Sequence, residues 1–131
     1  MGVTPHLLDT CALLWWMSDA PELGPAARRT ITNRRTSIVV STASLWEIAI
    51  KRRKGRLSGV DEYLAGYAEW HRRWGFTVLA IEPDDAVAAG GLSIPHDDPF
   101  DRMIIVQAER LGARIVTCDD AIRRHVRNCI W

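Results

Sequence analysis

The feature that most constrains the fold of this chain is a regular alternation of short apolar segments with longer helical ones. The short segments have the length and the β-branched or apolar composition of strands, and they lie at residues 6–8, 37–40, 76–79 and 114–117. Helices are predicted at residues 12–17, 25–35, 41–54, 60–74, 83–89, 99–111 and 120–126, and residues 128–131 are a candidate for a short terminal strand. This alternation predicts an α/β fold in which helices cover both faces of a parallel sheet.

The size and composition of the chain fit one ordinary domain. Its 131 residues contain no repeat and no Gly/Ser-rich linker, so we expect a single domain over residues 1–131. The net charge of +1, from 17 basic and 16 acidic residues, neither requires nor excludes a nucleic-acid partner. Three cysteines without a CxxC spacing, and no apolar stretch near the ~20 residues of a membrane span, favour a cytoplasmic protein with no membrane segment.

Two aspartates follow predicted strands. Asp9 comes directly after the first strand, and Asp119 comes two residues after the fourth. The carboxyl ends of parallel strands lie at one edge of a sheet, and ligands of such folds bind beyond that edge. We therefore expect both carboxylates at a common site.

Two further acids lie in predicted helices beside apolar residues. Glu47 is flanked by Trp46 and Ile48, and an unpaired carboxylate is costly to bury, so we expect a cation or a proton near it. Asp101 lies in the first turn of its helix, where the helix dipole favours a negative charge. Four converging carboxylates would repel one another unless a hard cation such as Mg²⁺ or Mn²⁺ offset them. Such a site can activate water for attack on a phosphodiester.

Each acid also has a simpler interpretation. Asp9 and Asp119 could cap the helices that follow them. Asp101 could pair with Arg102, and Glu47 could form an exposed i,i+4 pair with Lys51. Any one of these signals is weak when it is taken alone.

Four segments together resemble the PIN-domain family, and in particular the VapC toxins of bacterial toxin–antitoxin pairs. The segments are Leu7-Leu8-Asp9-Thr10, Ser44-Leu45-Trp46-Glu47-Ile48, His96-Asp97-Asp98-Pro99-Phe100-Asp101-Arg102 and Thr117-Cys118-Asp119. Their order and spacing are those of the family, and the resemblance covers essentially the whole chain. The segment from His96 to Arg102 is the most specific of them.

The resemblance implies a three-layer α/β/α domain with a short central parallel sheet. It implies an Mg²⁺- or Mn²⁺-dependent endoribonuclease, the toxin of a type II toxin–antitoxin system, which a small antitoxin protein inhibits. By position, the catalytic and metal-binding acids would be Asp9, Glu47, Asp101 and Asp119. Supporting roles would fall to Thr10 or Thr117, which could orient a carboxylate or water, and to Asp98, for which a structural turn or cap is favoured over metal ligation.

The remaining polar signals are less specific. The basic residues Lys51, Arg52, Arg53 and Lys54 could grip RNA phosphates or simply form a solvated helix end, and Arg102 is as well suited to an intramolecular contact as to RNA. His96 could contact a phosphate, support Asp98 or pack in its loop. Cys11 and Cys118 are expected to be small buried residues beside Asp9 and Asp119, with a redox-sensitive site as the alternative.

The predicted first helix suggests a protein partner. Trp15 and Trp16 leave it apolar on nearly all sides, which suggests a homodimer or antitoxin surface.

Three rival functions share parts of this pattern. A structure-specific DNA nuclease would use the same chemistry but usually carries more acids and additional DNA-binding elements. A phosphoryl-accepting response regulator needs an Asp at the end of its third strand, where this chain has Leu79-Ala80-Ile81-Glu82. A non-catalytic PIN-fold binding module would be expected to lack one of the acids, and none is missing.

Overall fold

The computed structural model describes residues 3–131, and its centre is a four-stranded, fully parallel sheet. The strands are β1 (Pro5–Leu8), β2 (Ser37–Ser41), β3 (Phe76–Leu79) and β4 (Arg114–Val116), in the spatial order β3-β2-β1-β4. Leu8 of β1 lies opposite Val40 on one side and Val116 on the other. The first and last strands are therefore neighbours, which places the residues that follow them side by side.

Eight helices are found in the described residues. They are α1 (Thr10–Met17), α2 (Pro25–Thr32), α3 (Thr42–Arg53), α4 (Asp61–Ala65), α5 (Tyr67–Trp74), α6 (Pro83–Gly91), α7 (Pro99–Leu111) and α8 (Asp120–His125). Within residues 3–131, none of them combines the length and the apolar content that crossing a membrane would require.

Alternate residues of the strands build two separate cores. Leu8 and Val40 face one side of the sheet, where α1, α2, α4 and α5 contribute most of the apolar contacts. Leu7 and Val39 face the other side and pack against α7 and α8. A sheet that is buried on both faces requires apolar residues at consecutive positions, as in β1 and β2. The predicted three-layer α/β/α architecture is confirmed.

The largest differences between the predicted and the observed elements concern three of them. The helix predicted over residues 60–74 is split at Gly66 into α4 and α5. The helix predicted to reach residue 35 ends at Thr32, because a turn between Asn33 and Thr36 leads the chain into β2. The candidate strand at residues 128–131 is reduced to one bridge between Ile130 and Val116.

Candidate active site

Asp9 lies at the carboxyl end of β1, where the chain turns into α1. Its carboxylate caps α1 by accepting a hydrogen bond from the Ala12 amide at 2.8 Å, and it also accepts one from the Thr117 hydroxyl. Asp9 is only 4% exposed, and Thr117 is fully buried. The capping role and the position at the sheet edge therefore coexist in one residue.

Thr117 links the ends of the two central strands. Its hydroxyl oxygen accepts a hydrogen bond from the Asp119 amide at 3.0 Å while its proton is donated to Asp9. Asp119 in turn caps α8, accepting from the Ile122 amide at 2.9 Å. The two strand-end aspartates thus occupy adjacent loops, as the parallel pairing of β1 and β4 requires.

His96, Asp101 and Asp119 come together at the same edge. Each offers one potential ligand atom, and these three atoms all lie within 4.8 Å of one another. His96 Nε2 is 2.7 Å from Asp101 Oδ2. The position of His96 in this cluster is not predictable from the sequence, because a loop histidine five residues before a helical acid has no fixed geometry relative to it.

The segment around Asp101 is held by its neighbours. Asp98 caps α7, with its carboxylate accepting from the amides of Phe100 at 2.9 Å and Asp101 at 3.1 Å. The Arg102 guanidinium donates to the carbonyl oxygens of Ala89 at 2.8 Å and His96 at 2.9 Å, and it also reaches those of Gly90 and Leu92. Arg102 therefore holds the loop that carries His96 through these carbonyl oxygens, and contact of Arg102 with RNA stays a prediction.

Glu47 is buried on α3, with 7% of the residue exposed, and its carboxylate pairs with Lys51 Nζ at 2.8 Å. One turn earlier on the same helix, Ser44 accepts a hydrogen bond from the Thr10 hydroxyl at 3.0 Å, and both residues are buried. Residues three apart share a helix face, so Glu47 faces the start of α1. It is not among the three residues whose ligand atoms lie within 4.8 Å of one another.

The carboxylates of this site are electrostatically strained. Burial raises the pKa of Asp9 to about 6, an effect that the charges of Asp101 and Asp119 reinforce and the Thr117 hydrogen bond opposes. Burial likewise raises the pKa of Asp101 to about 6, against the opposing contact with His96. The Asp101 carboxylate raises the pKa of His96. Each negative charge here is costly without a nearby cation.

The thiols of this edge lie in the same negative environment. Burial, followed by the charge of Asp9, raises the pKa of Cys11 to about 11, and it raises that of Cys118 for the same two reasons. Neither is therefore an activated nucleophile. Both thiols are free, but Cys11 is exposed and Cys118 is partly exposed, so the expectation that both residues are buried is wrong.

The donor set of the site fits a hard divalent cation. It is rich in carboxylate oxygens, the ligands that Mg²⁺ and Mn²⁺ prefer in proteins. Asp9, Asp101 and Asp119 would hold such an ion, and Glu47 stands on the adjacent helix. Burial and neighbouring negative charges raise the pKa of both Asp9 and Asp101, a condition that a nearby cation would relieve.

The basic residues at the end of α3 differ in their ion pairing and exposure. Lys51 is engaged with Glu47, and Arg52 pairs with Asp61 on the surface at 2.6 Å. Arg53 and Lys54 are exposed at the end of the helix. RNA contact by this run stays a prediction.

The chain matches the family model of the PIN domain over residues 6–128, a range that includes all four predicted acids and every strand residue except Pro5. Together with the fold and the acidic edge of the sheet, this match shows that the chain belongs to the PIN-domain family.

The resemblance extends to individual proteins of the VapC type. The chain is 30% identical over 126 residues to Ribonuclease VapC22 of Mycobacterium tuberculosis, an alignment that covers 94% of this chain and 93% of that protein. Two solved structures share the fold. VapBC2 of Rickettsia felis, crystallised with a DNA fragment from its promoter, has a TM-score of 0.67 at 14% identity, covering 97% of this chain and 96% of that chain. PAE2754 of Pyrobaculum aerophilum has a TM-score of 0.56 at 19% identity, covering 96% and 82%.

Proposed function

We propose that this protein is a metal-dependent endoribonuclease, the toxin component of a type II toxin–antitoxin system, acting with Mg²⁺ or Mn²⁺. The observation that carries the proposal is that Asp101 and Asp119 offer ligand atoms within 4.8 Å of each other, near enough to Asp9 for their charges to raise its pKa. The similarity to a protein named as a ribonuclease supports RNA as the substrate. We treat residues 1–131 as one catalytic domain.

The chain's own residues prepare the site in distinct ways. Thr117 holds one oxygen of Asp9, and the Ala12 amide holds the other, so this carboxylate has a fixed orientation. The cap at Asp98 fixes the first turn of α7 and with it Asp101. A bound divalent ion would polarise the scissile phosphate and lower the pKa of a water molecule to generate the attacking hydroxide.

Glu47 and Thr10 are proposed as the contribution of the neighbouring helices. The hydrogen bond from Thr10 to Ser44 ties the start of α1 to α3 and so sets the position of Glu47 relative to Asp9. Glu47 is proposed as the fourth acid, with Lys51 balancing its charge in the absence of an ion. Exposed Arg53 and Lys54, one turn further along, are proposed to contact RNA phosphates.

An antitoxin protein is proposed as the inhibitory partner. A groove with a volume of about 410 Å³ is lined by parts of α1, residues 57–60, α4 and α5, and its lining includes Trp15, Trp70 and Trp74. The predicted apolar surface of α1 is partly used internally, since Trp16 packs against Trp74 with ring centroids 5.0 Å apart. Trp15 is left to line the groove, where an apolar segment of the antitoxin would fit.

We further propose that the protein forms a homodimer and lies in the cytoplasm. Trp46 is 58% exposed and Val87 is 77% exposed, and apolar side chains of this kind are candidates for a contact between two copies. All three cysteines are free, which is typical of a reducing compartment such as the cytoplasm.

The test is a cleavage assay on purified protein with RNA in Mg²⁺, in Mn²⁺ and in EDTA. We expect cleavage with either ion, none in EDTA, and none with Asp9→Asn or Asp101→Asn. Asp85→Asn is the matched control, because Asp85 is equally buried but pairs with Arg110 away from the acidic cluster. Activity that survived in both site variants would contradict the proposal, and cleavage of flap DNA in preference to RNA would favour a structure-specific DNA nuclease.

A further inference from the structure

We propose that His96 is a direct metal ligand, so that the proposed nuclease site binds its ion through one imidazole nitrogen as well as carboxylate oxygens. The inference rests on the proposed function and refines it. It starts from the cluster of Nε2 of His96 with one carboxylate oxygen each of Asp101 and Asp119, all within 4.8 Å of one another. His96 is the member of this cluster that the acidic pattern does not include.

The distance between His96 Nε2 and Asp101 Oδ2 fits two neighbouring ligands of a small octahedral ion. Bonds of about 2.1 Å place neighbouring ligand atoms about 3 Å apart and opposite ones about 4 Å apart. The distance of 2.7 Å between His96 Nε2 and Asp101 Oδ2 is close to the first of these values. An ion could therefore enter between the three side chains with small adjustments and without rearranging the loop.

The loop that carries His96 is built to hold it there. Arg102 donates to the His96 carbonyl at 2.9 Å and to the Ala89 carbonyl at 2.8 Å, which ties the segment before α7 to the end of α6. Arg102 also follows Asp101 directly in the chain. The first turn of α7 therefore carries Asp101 itself and holds His96 through the hydrogen bond from the Arg102 guanidinium. His96 is also only partly exposed, with 20% of its side chain accessible.

An imidazole changes which ion the site prefers. Mg²⁺ favours oxygen ligands alone, whereas the affinity of first-row transition metals rises when nitrogen is available. We therefore expect this site to favour Mn²⁺ over Mg²⁺ by more than an all-carboxylate site would. Ligation uses the neutral ring, so the proton between Nε2 and Asp101 leaves when the ion binds.

The alternative is that His96 acts only as a positive charge that balances Asp101 while the site holds no ion. A ligand and a charge-balancing group make opposite predictions for metal binding. Removing a ligand weakens binding, whereas removing a competing cation strengthens it. The two roles can therefore be separated without an activity assay.

The experiment measures Mn²⁺ and Mg²⁺ binding by calorimetry and the ¹⁴N coupling of bound Mn²⁺ by pulsed electron paramagnetic resonance. The wild type is expected to show ¹⁴N coupling from a coordinated imidazole. In His96→Ala and His96→Gln we expect that coupling to vanish and Mn²⁺ affinity to fall about tenfold or more, with a smaller change for Mg²⁺. His125→Ala, which removes an exposed histidine, is the control and should retain both properties.

The outcomes distinguish an error about His96 from an error about the metal site as a whole. Wild-type protein that binds Mn²⁺ with no ¹⁴N coupling, or variants with unchanged or tighter Mn²⁺ binding, would overturn ligation by His96 and leave the carboxylate site in place. Wild-type protein that binds neither ion would overturn the proposed metal site and the role of His96 with it. Circular dichroism of His96→Gln checks that the fold is retained, since this variant keeps most of the side-chain volume.

Discussion

Two regions of this protein each bury an aspartate to almost the same degree, but the groups that bind the two carboxylates differ. Between α6 and α7, Asp85 is 3% exposed and is bound by Arg110 through contacts of 2.7 and 2.9 Å. At the carboxyl edge of the sheet, Asp9 is 4% exposed, and within residues 3–131 it receives hydrogen bonds only from the Thr117 hydroxyl and the Ala12 amide. The arginine lowers the pKa of Asp85, whereas burial raises that of Asp9 to about 6.

The difference shows how structural and functional carboxylates can be distinguished. A fold can supply a guanidinium to a buried carboxylate when its role is to join two helices, as Asp85 does. At the sheet edge, no arginine or lysine among the described residues pairs with Asp9, and two further acids stand nearby. A buried charge left in this condition costs folding free energy, and a bound cation would recover that cost.

The largest expected difference between the two regions is in the effect of a substitution on RNA cleavage. Asp119→Asn should reduce RNA cleavage about 100-fold or more, because it removes a charge from the proposed metal site. Asparagine caps a helix as well as aspartate does, so α8 should be unaffected and the thermal midpoint should stay within a degree or two. Cleavage rates and melting curves measured on the same preparation test this. Full activity in Asp119→Asn would reduce Asp119 to its capping role.

The structural region should show the reverse pattern. Asp85→Asn removes a carboxylate that binds Arg110 and also accepts from the Glu82 amide at 2.9 Å, and we expect a loss of about 1–3 kcal/mol in the free energy of unfolding. Cleavage per folded molecule should be unchanged. Urea denaturation with a parallel cleavage assay measures both quantities, and a variant as stable as the wild type would remove the contrast between the regions.

The pH dependence of stability should reveal the strain at the sheet edge. A carboxyl whose pKa is raised on folding stabilises the protein most below its unfolded value near 4, and that stabilisation is lost as the pH rises through about 6. In EDTA, Asp101→Asn should therefore become more stable relative to wild type between pH 4.5 and 7.5, by about 1 kcal/mol after allowance for partial exposure. Denaturation of both proteins at the two pH values gives this difference, and a difference that shrank with pH would have the wrong sign.

The smallest expected effect concerns the exposed end of α3. Replacing Arg53 and Lys54 by glutamine should leave stability within about 0.5 kcal/mol, because both side chains are exposed. RNA binding should weaken modestly, and the slope of log affinity against log salt should decrease by about 0.7 for each lost phosphate contact. Titrations at several salt concentrations measure the slope. An unchanged slope would assign these residues to a solvated helix end.

The sequence predicts much of the fold because the strands and their buried positions are local patterns. Consecutive apolar residues such as Leu7 and Leu8 indicate a sheet covered on both faces, and the structure confirms that architecture. The break at Gly66 was missed because amphipathic residues continue on both sides of it. The single bridge at Ile130 depends on pairing with a strand close by in space, which periodicity alone does not specify.

The candidate site also has residues whose placement the sequence predicts and residues whose placement it does not. Asp9 and Asp119 could be placed from the sequence because parallel strands bring their carboxyl ends together, and the structure puts both aspartates at that edge. The proximity of His96 to Asp101, and the turning of Arg102 into the protein, depend on how one loop closes over the end of α6. Such side-chain pairings are set by tertiary contacts and carry no sequence period.

The most direct measurement of the central claim is the thermal midpoint of wild-type protein at pH 7.5 as Mn²⁺ or Mg²⁺ is titrated. Binding to the folded state alone should raise the midpoint progressively with ion concentration. The account predicts this rise for wild type and for Asp85→Asn, and its loss in Asp9→Asn and Asp101→Asn. A midpoint that did not respond to either ion, or that rose equally in the two site variants, would contradict it.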